Sequence, residues 1–187
     1  QNSEAADFIG GLRPVRGKDA LQRALENGLR TTFTLLLHGS PALTSAASSA
    51  ILSGAFTIMG LDAAASSAIQ TEIKALVEST VQQHLPSASL ERLVNVLPRL
   101  KLSLSEYKKR QTAPTAPANS SAHFQLLHAI TRVINAAEET EEKYAEYSAM
   151  FLWYDGPLVR AMKRGHCFLI DEISLAEDAV LERLNSV

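Results

Sequence analysis

Apolar residues recur at the spacing of an α-helix over most of the first 150 positions. Each of four stripes repeats every three or four residues, which places its members on one face of a helix. The stripes are Leu21, Leu25, Leu29 and Phe33; Ile69, Ile73, Leu76 and Thr80; Leu90, Leu93, Leu97, Leu100, Leu104 and Tyr107; and Phe124, Leu127, Ile130 or Thr131, and Ile134. Amphipathic helices need partners that cover their apolar faces. The pattern therefore predicts a mainly α fold, with a helical bundle over residues 30–150.

Glycine, proline and polar runs mark the expected ends of these helices. Gly60 ends one Ala- and Ser-rich helix, and Asp62 is a candidate N-cap for the next. Pro98 falls inside the third stripe, where we expect a kink or a break. Residues 1–17 are polar and rich in turn formers, so no regular element is expected there. The Pro- and Ser-rich residues 111–122 are expected to form a flexible linker within the bundle.

A different pattern begins after residue 150. Residues 151–154 indicate a short strand, and Pro157 opens a helix that ends before Gly165. Residues 167–170 form a continuous apolar run, as in a strand that is buried on both faces. Ser174 begins a capping box that opens a further helix. The order strand, helix, strand, helix predicts part of an α/β domain with a parallel sheet.

Composition and charge exclude several classes of protein. Hydrophobic residues make up 46% of the 187 positions, which excludes a wholly disordered chain. Lys and Arg number 18 against 20 Asp and Glu, and this net charge of −2 argues against a domain that coats nucleic acid. The single cysteine, Cys167, excludes a disulfide framework and a cysteine-based zinc site. No apolar run approaches the roughly 20 residues that cross a bilayer, so no membrane partner is expected.

The candidate chemical site follows the apolar run 167–170. Asp171 and Glu172 stand directly after it, at the carboxyl end of the predicted strand, where ligands bind in open α/β sheets. A carboxylate in that place can hold Mg²⁺ through the ion's water shell, and its neighbour can take a proton from an attacking water. This is the Walker B arrangement of nucleotide hydrolases. The same residues are also compatible with a capped strand end that leads into a turn.

Two longer motifs surround this site. Residues 3–16 read Ser-Glu-x-x-Asp-Phe-Ile-Gly-Gly-Leu-Arg-Pro-Val-Arg, and residues 155–165 read Asp-Gly-Pro-Leu-Val-Arg-Ala-Met-Lys-Arg-Gly. The second motif continues through Asp171 and Glu172 into Ile-Ser-Leu-Ala and the final residues 180–187. Together the two segments cover about 55 residues. They resemble the dynein-related and MoxR-like branch of the AAA+ ATPases, and within it the midasin family.

This resemblance implies a helical bundle insertion framed by partial α/β core segments of the P-loop NTPase type. It places AAA+ core segments at residues 1–29 and 151–187, the latter with the Walker B strand. The helical insertion, residues 30–150, interrupts the second helix of the module. By the family motif, Glu172 is the catalytic base, and Asp171 is the cofactor-binding residue that holds Mg²⁺ through water in the complete module.

The P-loop of such a module is absent from the chain. The nearest stretch, residues 11–19, has five residues between its glycines instead of four, and Asp19 replaces the Mg²⁺-binding hydroxyl. The chain does not begin with Met and stops inside a predicted helix, so we expect it to be part of a longer protein with a P-loop before Gln1. Because the P-loop supplies most phosphate contacts, the isolated chain is expected neither to bind ATP tightly nor to hydrolyse it.

The resemblance also implies a function for the complete protein. It would use ATP and Mg²⁺ to remove assembly factors from pre-60S ribosomal particles in the nucleolus and nucleoplasm. Its partners would be that particle, the assembly factors and other regions of the same chain. The alternative is a non-catalytic helical module that binds another part of such an ATPase or the pre-ribosome.

Charged runs and histidines have ordinary structural explanations. No direct RNA contact is expected, because the cations near residue 105 fit a solvated helix end better than an rRNA-binding surface. The acidic run near residue 140 likewise fits a solvated face better than an interaction surface. The five histidines lack metal-ligand spacing and are expected to be structural or superficial. The cations are Arg99, Lys101, Lys108, Lys109 and Arg110. The acidic run consists of Glu138, Glu139, Glu141, Glu142 and Glu146. The histidines are His38, His84, His123, His128 and His166.

Overall fold

The computed structural model describes residues 9–15, 18–79, 84–112 and 121–171, together with Asp178. The described elements are β1 (Gly10–Pro14), α1 (Asp19–His38), α2 (Ser45–Met59), α3 (Ala63–Glu78), α4 (Ser87–Gln111), α5 (Ser121–Ser148), β2 (Phe151–Asp155) and α6 (Pro157–Lys163). They form two compact units. Lys18–Ser148 is the helical unit, and the described residues on either side of it belong to the other, which we call the strand unit. The predicted mainly α fold is confirmed.

The helical unit has its own hydrophobic core. Helix α1 packs chiefly against α5, and α2 packs chiefly against α4, which also contacts α5. The buried side chains follow the first three predicted stripes, for example Leu29 on α1, Ile73 on α3 and Leu97 on α4. Burial of these apolar faces is the main source of stability for helices of this length.

Local capping sets the ends of the second and third helices as expected. The Thr44 hydroxyl accepts a hydrogen bond from the Ala47 N–H at 3.2 Å, at the start of α2. Gly60 ends that helix with a φ of 69°, in the left-handed region that favours glycine. Asp62 then caps α3, since its Oδ1 accepts from the Ala65 N–H at 2.7 Å. The predicted roles of Gly60 and Asp62 are confirmed.

The structure refines two expectations about the longer helices. Of the two outcomes expected at Pro98, the break is wrong, because α4 continues through this residue as one helix with the ring on an exposed position, and the kink stays a prediction. The apolar stripe of α5 is also shifted, because Phe124 is 63% exposed instead of buried. The buried face of α5 consists of Ala129, Ile130, Val133, Ala137 and Thr140. This face differs because α5 lies against α1, where the small residue Gly28 meets Thr140.

The strand unit contains a two-stranded sheet that joins distant parts of the chain. Strands β1 and β2 pair antiparallel, with Leu12 opposite Trp153 and Pro14 opposite Phe151. Residues 10–14, predicted to lack regular structure, therefore form a strand, and the described sheet is antiparallel where a parallel one was predicted. At Gly10 the φ is 112°, and a Cβ would lie 2.1 Å from the Tyr154 carbonyl oxygen, so glycine is required for this pairing.

The predicted buried strand at 167–170 is wrong for the described structure. Residues 166–171 have no regular secondary structure, Cys167 is exposed, and Leu169 is 90% exposed. A strand needs a hydrogen-bonding neighbour, and β1 and β2 pair with each other. Among the described residues no third strand is available to this apolar run.

The compact units have bounds of their own, and the division into AAA+ core segments 1–29 and 151–187 with an insertion at 30–150 stays a prediction. The first division lies between residues 17 and 18, before α1, and the second lies between residues 148 and 149. The predicted division after residue 29 fell inside α1, which is one continuous helix with Leu25 and Leu29 both in the core. In the described part of the chain, no helix combines the length and apolar character needed to cross a bilayer.

Candidate functional site

The approach to the candidate site is a strand, a tight turn and a short helix. Strand β2 ends at Asp155, and Pro157 occupies the first turn of α6. The Gly156 N–H donates to the Ile9 carbonyl at 2.9 Å, which ties this turn to the start of β1. Gly165, with a φ of 65°, follows the last turn of α6 and turns the chain toward residues 166–171. The predicted Pro at the helix start and Gly after its end are confirmed.

Asp155 links the end of β2 to α6. Its Oδ2 accepts from Lys163 Nζ at 2.6 Å, and its Oδ1 accepts from Trp153 Nε1 at 3.1 Å. The hydrogen bond from Lys163 is the largest cause that lowers the pKa of Asp155 below its ordinary value. Sequence reasoning missed this cluster, in which the Trp153 side chain is 55% exposed. The available signal was a pair of opposite charges eight residues apart, with Asp155 before α6 and Lys163 at its end.

Asp171 lies at the end of the described stretch that follows α6. Its side chain is exposed, and Glu172 lies outside the described residues, so the structure does not relate the two carboxylates to each other. No three His, Cys, Asp or Glu side chains come together as a metal cage within the described residues. An exposed carboxylate can hold Mg²⁺ through the ion's water shell. The donor chemistry of Asp171 thus fits a water-mediated Mg²⁺ ligand.

The cation cluster of α4 takes part in contacts within the helical unit. Lys101 Nζ lies 2.5 Å from Glu141 Oε2 on α5, and both side chains are about a quarter exposed. Lys108 donates to the Thr131 hydroxyl at 3.3 Å. These side chains bridge α4 and α5, which agrees with a structural role for part of the cluster.

The acidic run of α5 is largely solvated. Glu138, Glu139, Glu142 and Glu146 are exposed. Glu139 accepts a hydrogen bond from Lys143 at 2.7 Å, one turn along the helix, and this bond is the largest cause that lowers its pKa. The run therefore has the geometry of an exposed helix face with an internal ion pair.

Comparison with known proteins connects both units to one family. Residues 126–187 match the AAA domain of the dynein-related subfamily. Over all 187 residues, the chain is 33% identical to midasin of Dictyostelium discoideum. The chain is midasin-like. A midasin of Giardia intestinalis is 46% identical over 72 residues, which cover 35% of this chain. No solved structure gives a significant match.

The matches differ in how much of the midasin-like chain they cover. The AAA match begins inside α5 and so covers the strand unit after residue 148 and only part of the helical unit. The similarity to the Dictyostelium protein includes the whole helical unit. The chain spans about 2% of the length of each of the two midasins.

Proposed function

We propose that this chain is part of a midasin-like AAA+ ATPase that uses ATP hydrolysis to remove assembly factors from nuclear pre-60S ribosomal particles. The observation that carries the proposal is the 33% identity to a midasin along the entire chain. The AAA match over the segment that contains Asp171 and Glu172 supports the ATPase assignment. The proposed partners are the pre-60S particle, its assembly factors and other regions of the same protein, in the nucleolus and nucleoplasm.

Within that module, Asp171 and Glu172 have separate roles. Asp171 would hold hydrated Mg²⁺ through one of its water ligands, consistent with its exposed carboxylate. Bound Mg²⁺ supplies charge neutralisation for the β- and γ-phosphates of ATP. Glu172 would orient the attacking water and accept its proton.

Replacement of Glu172 in the full-length protein tests this assignment. Glu172→Gln keeps the side-chain shape and removes the base, so ATP should still bind at this module while turnover falls by a factor of about 10² to 10⁴. The measurement is single-turnover hydrolysis with a nucleotide-occupancy reporter at this module, since other modules would mask a bulk rate. Glu142→Gln, on an exposed position of α5, is the control and should leave the rate unchanged. Wild-type turnover in Glu172→Gln would exclude Glu172 as the base.

A second candidate function is a helical docking module without catalysis of its own. It is favoured by the separate core of Lys18–Ser148, which includes fully buried side chains such as Phe33 and Ile130. The helical unit would then regulate or dock the ATPase, and the strand unit would anchor it.

Calorimetry on the 187-residue chain separates catalysis by this chain alone from a docking role without catalysis. No ATP binding in the micromolar range is expected, because no P-loop sequence is present to cradle the phosphates. Micromolar binding would instead show that this chain alone holds a nucleotide site.

A further inference from the structure

A polar cavity lies in the helical unit between α1, α3 and residues 84–85. Its volume is about 240 Å³, and its walls are formed by Arg23, Glu26, Asn27, Arg30, Leu76, His84 and Leu85. This volume is several times what a single water needs. The cavity therefore has room for one side chain together with a few waters.

Nitrogen donors dominate the walls of this cavity. Arg23, Asn27 and Arg30 follow one another at spacings of four and three residues, so they lie on one face of α1. Arg23 uses only its Nε, which donates to the Asp19 carbonyl at 3.3 Å. Among the described residues its terminal nitrogens make no hydrogen bond, and the Asn27 side chain makes none. A guanidinium has a rigid fork of donors that matches a carboxylate or a phosphate.

Contacts with Ser79 hold Arg30 in place. One terminal nitrogen of Arg30 donates to the Ser79 carbonyl, and the other lies 3.3 Å from the Ser79 hydroxyl. These bonds use two of the five N–H donors of the guanidinium, and the other three have no partner among the described residues. An arginine already fixed by its surroundings loses less side-chain entropy when a ligand binds.

The one carboxylate in the cavity is already engaged by neighbouring donors. Glu26 Oε1 accepts from the Leu85 N–H at 3.0 Å and from the Gln22 amide at 2.9 Å. His84 Nδ1 lies 3.5 Å from the same oxygen. Glu26 thus orders the 84–85 segment, and the two arginines leave the cavity with an excess of positive charge.

We propose that this cavity, the Arg23/Arg30 pocket, binds a single anionic side chain of a protein partner, either a carboxylate or a phosphate monoester. Arg23 and Arg30 donate to its oxygens, and buried Leu76 contacts its aliphatic stem. This proposal deepens the docking role given above for the helical unit and rests on it.

The charge of the helical unit favours a protein partner over RNA. Lys18–Ser148 contains 12 Lys and Arg and 12 Asp and Glu, so it has no net formal charge. RNA binding draws on an extended basic surface that contacts several phosphates. A pocket with two arginines and one apolar contact instead suits one charged side chain.

An NMR titration of the 187-residue chain tests the proposal. The probes are N-acetyl-phosphoserine amide and N-acetyl-glutamate amide, added separately at 150 mM NaCl, with decauridylate as a third arm. We expect saturable shifts of the Arg23 and Arg30 Nε–H signals with at least one amino-acid probe. The stronger of the two probes identifies the source of the anion. Binding of decauridylate that depends on both arginines would overturn the assignment to a protein partner.

Variants of the chain distinguish specific binding in the Arg23/Arg30 pocket from nonspecific electrostatic attraction of anions. Arg23→Gln and Arg30→Gln should each weaken binding roughly tenfold, the effect of losing a charge-assisted hydrogen bond. Glu26→Gln keeps an acceptor for the Leu85 N–H and removes a negative charge, so it should strengthen binding roughly threefold. Arg132→Gln, on an exposed position of α5 without a described partner, should have no effect.

Several outcomes would overturn the proposal. Linear shifts without saturation, or equal weakening by Arg132→Gln, would show general attraction only. Circular dichroism must first show that each variant is folded, and Arg23→Gln serves as the decisive variant because its side chain is exposed. Failure in this titration leaves the Glu172→Gln test untouched, so the two conclusions fail separately.

Discussion

At the scale of single residues, a glycine and two threonines form a tight contact between α1 and α5. Gly28 is buried, and a Cβ there would lie 2.8 Å from Thr140 Oγ1 and 3.2 Å from its Cγ2. Thr140 also donates to the Ala136 carbonyl at 2.6 Å and lies 3.2 Å from the Thr32 hydroxyl. The side chain of Thr140 is therefore held in place and has little room to move away.

Gly28→Ala tests this contact. Although alanine favours a helix over glycine, the steric conflict should dominate and lower the free energy of unfolding by about 1–3 kcal/mol. The measurement is denaturant unfolding, with Thr31→Ala as a control on an exposed position of α1, expected to be neutral or slightly stabilising. In a Thr140→Ala background the cost of Gly28→Ala should shrink. An equal cost in both backgrounds would contradict this account.

The ionisation of Asp155 reports the contact between β2 and α6. Its pKa is lowered chiefly by the hydrogen bond from Lys163, so the contact is present at neutral pH and is lost as pH falls through the folded-state pKa. Lys163→Gln should move the NMR titration midpoint of Asp155 upward. Lys143→Gln should leave that midpoint alone and raise the midpoint of Glu139. An unchanged Asp155 midpoint in Lys163→Gln would show that the hydrogen bond is absent in solution.

These residue-level contacts were only partly accessible from sequence. Caps such as Asp62 depend on neighbours three positions away, so their signal is local and the prediction was correct. The Gly28 and Thr140 contact joins residues more than one hundred positions apart, and no local pattern encodes it. Asp171 and Glu172 were found from an apolar run followed by two carboxylates, and their relative geometry stays a prediction.

At the scale of elements, α4 shows how tertiary packing overrides a local signal. Pro98 removes one backbone donor and crowds the preceding turn, yet the helix continues through it. The apolar side chains on both sides of it, including Val94, Leu97 and Leu100, are buried in the core and hold the two halves together. The sequence predicted the element and its buried face, but it did not reveal that packing would offset the proline.

Pro98→Ala should therefore stabilise the chain. The variant restores a backbone N–H, and Pro98 is exposed, so no packing is lost. We expect the free energy of unfolding to rise by about 1–3 kcal/mol. Arg99→Ala, on the next exposed position, should stay within about 0.5 kcal/mol of the parent chain. A neutral or destabilising Pro98→Ala would mean that α4 is not a continuous helix in solution.

The pairing of β1 with β2 shows a strand that local sequence signals fail to predict. The strand at residues 151–155 was predicted from its own apolar character, and the structure confirms it. Its partner, residues 10–14, is short and contains glycine and proline, so local propensity argued against a strand. Only the cross-strand neighbours, such as Trp153 opposite Leu12, make that segment extended.

At the scale of the whole molecule, the two units differ in how much core they contain. The helical unit holds every one of the fully buried large side chains of the described residues, among them Leu25, Leu90 and Ile130. The strand unit exposes Leu12, Trp153 and Leu169. The helical unit should therefore fold without help from the strand unit, as a docking module must if it is to act as a separate body.

Hydrogen exchange on the intact 187-residue chain tests this central claim most directly. Backbone amides at residues 90–97 and 129–137 should exchange slowly and with similar free energies of opening, as members of one cooperative core. Amides at residues 167–170, which have no regular secondary structure, should exchange near the rate of an unfolded peptide. Fast exchange in both helical segments, together with protection of residues 167–170, would contradict an independently folded helical unit.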